Sequence, residues 1–172
     1  MSDDLSLRLG GTVKVKLFSI QNYPGQVKTM PGLSLDHLTL PAGGEISTYE
    51  TEPGLLEFDP HSSEIIQKTF STTVFRSLCP VTGQPDLASV MINYKGRAIS
   101  PEGLLKYLVS YRCHKGFHEQ CVEQIYHDMR TVFQPELLEV YACFTRRGGI
   151  DINPFRSSVR EQPDEVIREM RQ

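Results

Sequence analysis

An α+β domain, an antiparallel sheet with two helices on one face, is predicted by three features of the chain. Two runs rich in β-branched and aromatic residues, TFSTTVFR at 69–76 and ASVMINY at 88–94, stand close together with a turn-forming segment between them. Two stretches with apolar residues at helical spacing follow, and a third dense strand, LLEVYACF at 137–144, comes after them. The resulting order is strand, strand, helix, helix, strand and a short final strand, which suits a sheet covered by helices on one side.

Taken from the start, the first expected element is TVKVKLFS at 12–19. Val13, Val15 and Leu17 alternate with Lys14, Lys16 and Phe18, the period of a strand with one buried face. Residues 23–57 are rich in Pro, Gly, Ser and Thr, with Pro-Gly pairs at Pro24, Pro31 and Pro53 and a Gly-Gly pair at Gly43. They read as loops and short extended pieces that wrap a neighbouring surface or join two modules. Between the two dense strands, LCPVTGQPD carries two prolines and a glycine, which forbid a continuing strand there. Ser100, Pro101 and Glu102 supply an N-cap, a first-turn proline and a first-turn acid, and Leu104, Leu105, Leu108 and Val109 continue that helix. A break at Lys115 and Gly116 precedes a second helix striped by Val122, Ile125, Tyr126 and Met129, which Gln134 and Pro135 end. TRRGG then reads as a turn and IDINPFRS as a short extended piece. The last fifteen residues are highly charged, a weak helix or a frayed tail. The organisation expected is an N-terminal strand and linker (1–64), a catalytic module (65–157) and a charged tail (158–172).

The 172 residues hold one sizeable core. A net charge of −3 gives no basic footprint for nucleic acid. No apolar run reaches membrane-spanning length, and the acidic MSDDLSLRLGG start lacks a secretory pattern. Four cysteines without a leader point to free thiols in a reducing compartment, hence a cytoplasmic location.

Three clusters carry chemistry. Cys79 lies in the loop between two strands. A lone cysteine reads either as a small buried hydrophobe or as a nucleophile. Asp86, seven residues on, reads either as a turn residue or as a general acid facing the thiol, held by Pro80 and Pro85. His118 and Glu119 open the second helix. A metal reading of His114, His118 and Cys121 is disfavoured by the break at Gly116, and no second His follows at zinc-protease spacing. Glu119 reads either as a solvated helix acid or as an acceptor for the donor edge of a purine-like base. Arg146, Arg147, Gly148 and Gly149 form either a strand-end turn with solvated arginines or a phosphate-contacting turn. No G-x-G-x-x-G occurs, so a dinucleotide would bind outside a Rossmann fold.

Taken together, SLCPVTGQPD at 77–86, YRCHKGFHEQC at 111–121 and YACFTRRGGIDINPF at 141–155 resemble the NADPH-dependent 7-cyano-7-deazaguanine reductases of queuosine biosynthesis. The resemblance implies the tunnelling fold, with a barrel closed by association of sheets. It implies that Cys79 attacks a nitrile to form a thioimidate and that Asp86 donates the proton. It implies that His118 and Glu119 bind the deazaguanine, that Arg147 and Gly148 contact NADPH, and that no metal takes part. The substrate is a small 7-deazapurine, and neither nucleic acid nor membrane is a partner.

One departure stands out. The family's E-S-K-S-[aliphatic]-K-[aliphatic]-Tyr signature falls on Ser100, Pro101, Glu102, Gly103, Leu104, Leu105, Lys106 and Tyr107, where the leading acid and the first lysine are absent. In two-module members that signature lies in the N-terminal module, and this chain resembles the C-terminal, nucleophile-bearing one. A homo-oligomer, or a hetero-oligomer with a signature-bearing module, is therefore expected. Two other readings stand beside it: a non-reducing amidinotransferase-like relative, and a deazapurine-binding module without turnover.

Overall fold

β2 (Ile65–Leu78) and β3 (Pro85–Arg97) form a long antiparallel hairpin at the centre of the molecule. The computed structural model describes residues 1–22, 27–40 and 44–172. Both strands run further into the proline-bearing segment than its composition predicts: Leu78 pairs with Pro85 and Ser77 with Asp86. Pro85 is tolerated because it opens its strand, where a missing N–H costs little. Only residues 79–84 are left to turn the chain.

β4 (Leu137–Phe144) pairs antiparallel with β3, and β5 (Phe155–Ser157) pairs antiparallel with β4. β1 (Leu33–Ser34) pairs parallel with β2, which gives a five-stranded sheet in the order β1-β2-β3-β4-β5. The sheet is open, with β1 and β5 at its edges.

α2 (Pro101–Ser110) and α3 (His118–Phe133) cover one face of the sheet, as expected. Ser100 Oγ accepts from the Gly103 N–H at 3.0 Å, satisfying a first-turn donor. Gln134 ends α3 at φ 46°, and Pro135 prevents any continuation. Phe70, Phe75, Ile92, Leu104, Ile125 and Val140 form the centre of the core between sheet and helices. Along β4, Leu138, Val140, Ala142 and Phe144 enter this core. Tyr141 and Cys143 point the other way, where Met30 and Ile167 bury them. Burial on both faces explains why this strand is almost continuously apolar.

Three expectations change. Residues 12–19 form no ladder, although Val13 and Val15 remain half-buried; the alternation is real, but the segment joins no strand of the sheet. The segment follows a short helix, α1 (Ser2–Leu9), that the acidic start did not announce. The linker wraps this chain's own core: Met30, Leu35 and Leu56 are buried, and β1 lies against β2. Gly32, at φ 104°, lets this happen, since a Cβ there would stand 2.4 Å from the Thr69 carbonyl oxygen. Of the four turn pairs expected in the linker, those at Pro24 and Gly43 lie outside the described residues. Pro53–Leu55 forms a 3-10 turn. The tail is neither helical nor frayed. Its charges find partners on the sheet's second face, where Glu169 accepts from the Met30 N–H and from Ser89, and Arg171 donates to Ser89.

Candidate active site

The hairpin between β2 and β3 sets the position of Cys79. Its N–H donates to the Gln84 carbonyl and its carbonyl accepts from the Gly83 N–H, both at 2.8 Å. The half-buried Cys79 thiol is lowered below its ordinary pKa, chiefly by the Thr82 hydroxyl, then by the N–H groups of Thr82 and Val81; slight burial and the Asp86 charge act in the opposite sense. Hydrogen bonds that favour the thiolate favour the nucleophile.

The end of β2 also holds the segment before α3. Leu78 N–H donates to the His114 carbonyl at 2.8 Å, and Gly116 N–H donates to the Leu78 carbonyl at 3.2 Å. These two bonds carry the start of α3 to the nucleophile loop, although 39 residues separate Cys79 from His118. His118 stacks on the Phe144 ring with centroids 3.9 Å apart and planes within 3°. Its Nε2 lies 3.4 Å from Asp86 Oδ1, and its Nδ1 is buried without a hydrogen-bond partner. Buried polar atoms are seldom left unpaired, so this nitrogen is suited to a ligand's polar edge. Glu119 follows in the first turn of α3 and is exposed at the rim.

Asp86 is almost fully buried, with its side chain 4% exposed. Arg147 Nη2 stands 2.6 Å from Asp86 Oδ1 as an ion pair and also reaches the Pro85 carbonyl, while its Nη1 donates to Gln84 Oε1 at 3.1 Å. The turn carrying Arg147 is closed by a bridge between Arg147 and Ile150, with Gly148 at φ 58° and Gly149 at φ 82°.

Five of the six residues singled out from the sequence, Cys79, Asp86, His118, Glu119 and Arg147, line one cavity of about 200 Å³. Gly148 stands beside it in the Arg147 turn. Pro80, Gly116, Phe117 and Ile152 complete the wall, and none of these was expected. Phe117, half exposed, offers an apolar face. Its position next to His118 within the motif was the available signal. The Thr82 hydroxyl was also missed, although a Thr-Gly pair three residues after the cysteine marks a turn back onto it.

The other cysteines play no visible part here. Cys121 is buried beside Ser77, burial pushes its thiol up to about 11, and both it and Cys79 are free. His114 lies outside α3 and bonds Thr51 Oγ1 at 3.1 Å. Among the described residues no three His, Cys, Asp or Glu side chains come together as a metal site.

Comparison with known proteins bears on these residues. Residues 85–163 match the family model described as QueF-like protein. The NADPH-dependent 7-cyano-7-deazaguanine reductase of Bordetella parapertussis (strain 12822) is 43% identical over 98% of this chain. The protein of the same name from Burkholderia mallei (strain SAVP1) is 44% identical over 98% of it. The chain is a homologue of these reductases. It spans about 60% of their length. Among solved structures, an archaeosine synthase QueF-Like in the apo form aligns with 57% of this chain and 96% of its own, at 18% identity and a TM-score of 0.49. The reductase homology covers all three motifs that form the cavity wall.

Proposed function

We propose that this chain is the nucleophile-bearing module of a 7-cyano-7-deazaguanine reductase, acting in the cytoplasm. The observation that carries the reading is the convergence of Cys79, Asp86, His118, Glu119 and Arg147 on one cavity. Homology to full-length proteins named for this activity supports it.

The Cys79 thiol passes its proton to the Asp86 carboxylate as its sulfur attacks the nitrile carbon and forms the C–S bond. One π pair of the C≡N bond moves to nitrogen, which takes that proton back from Asp86, giving a thioimidate. Glu119 accepts the donor edge of the deazaguanine, the buried His118 Nδ1 meets a polar atom of the ring, and Phe117 and Ile152 exclude water from its faces.

The residues at the Arg147 turn fit a phosphate-bearing cofactor. Arg147 is partly exposed, and open space surrounds the positions where Gly148 and Gly149 would carry a Cβ. NADPH held there supplies hydride, and two are needed to take a nitrile to a primary amine. The cavity itself lies below the roughly 300–1,000 Å³ of drug-sized sites, room for one small heterocycle rather than a dinucleotide as well. Ser100 to Tyr107, where the family signature would fall, serve instead as the cap and first turns of α2, with Leu104 and Leu105 in the core. Hydride delivery accordingly needs a wall from a second module or a second copy. Association through the open sheet, closing the barrel of the tunnelling fold, is the arrangement that provides one and also covers the sheet edges.

The test needs no cofactor. Protein mixed with 7-cyano-7-deazaguanine gains the mass of one ligand and the absorbance of a thioimidate, and Cys79→Ala gains neither. Wild-type protein that binds the nitrile without any covalent adduct would leave a binding module and sink the catalytic reading.

A further inference from the structure

The loop that leaves β4 after Phe144 and returns before β5 carries Arg147 and Ile152, two walls of the cavity. Its base is only partly laddered. The Ala142 N–H donates to the Pro154 carbonyl at 3.1 Å, and beyond that step the two arms of the loop part. A side chain from the far end of the tail spans the gap. Gln172 is buried, and its Nε2 donates to the Phe144 carbonyl at 3.0 Å on one arm and to Asn153 Oδ1 at 2.7 Å on the other. Its Oε1 accepts from the Glu169 N–H at 3.0 Å, so the amide is itself held in one orientation. Ser89 and the Met30 N–H in turn hold Glu169. Phe144 is the residue whose ring stacks on His118, and Asn153 is the neighbour of Ile152.

The geometry points to Gln172 as a positioning residue for the active site, a brace across the base of the loop at 145–152 that sets where Arg147 and Ile152 stand. The hydrogen bonds of its side-chain amide go to backbone or to a neutral side chain, its main-chain carbonyl accepts from Arg146 Nη2 at 3.0 Å, and it does not line the cavity. It acts through the loop. Cys79 belongs to a different hairpin, where Thr82 acts on it most and Asp86 least, and the loop reaches that hairpin through Arg147 at Gln84, Pro85 and Asp86. This inference rests on the reductase reading for its effect on chemistry, but not for its effect on the loop.

Gln172→Met keeps the side chain's length and removes all three bonds. In this variant of the full chain, backbone amides of 145–152 exchange with solvent about tenfold faster while those of α2 and α3 stay within about twofold. Adduct formation at saturating 7-cyano-7-deazaguanine slows about tenfold, since small displacements of positioned groups are costly. Alkylation of Cys79 by iodoacetamide stays within about twofold of the wild-type rate, because Arg147 touches the thiol only through Asp86, whereas a general loosening would change it more. Asn153→Ala breaks the brace from the other arm and moves the same readouts in the same direction. Wild-type exchange in the loop of Gln172→Met overturns the brace, whatever the activity. A loosened loop with an unchanged adduct rate overturns its positioning role. If the wild-type chain forms no adduct at all, the reductase reading fails, and loop exchange alone decides the brace.

Discussion

The Thr82 hydroxyl and the N–H groups of Val81 and Thr82 act on Cys79 from within three residues and favour its thiolate. Thr82→Val removes the largest of these contributions, together with the bond of 3.3 Å that the hydroxyl accepts from the Gln84 N–H, and keeps the backbone bonds of Cys79 to Gly83 and Gln84. The thiol then titrates higher, and alkylation by iodoacetamide at pH 7 slows about three- to tenfold, with the rate–pH profile displaced upward. An unchanged profile would mean that the hydroxyl does not reach the sulfur. Glu119 presents a second test at this scale. Its replacement by alanine removes a charged acceptor from the rim and weakens binding of the deazapurine by about 2 kcal/mol, read by calorimetry on Cys79→Ala so that covalent capture does not intervene. Equal affinity would remove Glu119 from the binding edge. Glu119 and the Cys79 that Thr82 serves stand inside motifs, and this is why they were legible, whereas Thr82 itself was missed. Cys79, Asp86 and Glu119 each admit a bland reading alone, and only the joint pattern of three motifs separates the readings.

Secondary-structure elements deliver these residues, and their joints carry the stability. On the sheet's second face Glu139 is buried and accepts from Asn93 at 2.9 Å, Ser157 at 3.0 Å and Arg160 at 2.5 and 2.6 Å, tying β3, β4, β5 and the tail together. Burial pushes its carboxyl up, but these bonds outweigh burial and hold it below the ordinary value of 4.5. A carboxyl depressed in the folded state stabilises fully above its unfolded value. That contribution is therefore complete above about pH 4.5 and is lost as pH falls through the lower, folded value. Glu139→Gln should cost about 2 kcal/mol in denaturant unfolding at pH 7, because a neutral amide replaces the buried charged acceptor and leaves Arg160 with Asp164 alone as a charged partner, and should flatten the acid limb of the stability curve. A cap is worth less: Ser100→Ala should cost about 1 kcal/mol, measured by the same unfolding curve. The periodicity of α2, α3 and β4 announced these elements, since each buries a face that its own pattern defines. Nothing in the pattern of residues 12–19 reveals whether an edge exists to receive them, and in this chain they join no strand ladder.

At the scale of the whole molecule, the cavity of about 200 Å³ has room for one small heterocycle, and α2 is used for packing, with Leu104 and Leu105 in the core. The chain alone is therefore expected to form the thioimidate without oxidising NADPH, and to gain NADPH oxidation when a signature-bearing module is added. Stopped-flow absorbance for the adduct and the decay of nicotinamide absorbance separate the two steps. Turnover by the chain alone, at a rate rising with the square of protein concentration at low concentration, would instead assign the missing wall to a second copy.

The local order of the core was settled by the sequence: that α2 and α3 are helices, where they begin and end, and which strands are dense enough to be buried. These depend on neighbours along the chain, and apolar periodicity, proline and glycine record them directly. The motif residues were legible for the same reason, being chemistry written into short contiguous words. Tertiary structure alone decided that the polar linker would cover its own core, that the charged tail would dock, and that Arg147 would stand against Asp86. A charged or proline-rich segment has no intrinsic shape, and it takes one only when a folded surface offers partners for its buried groups.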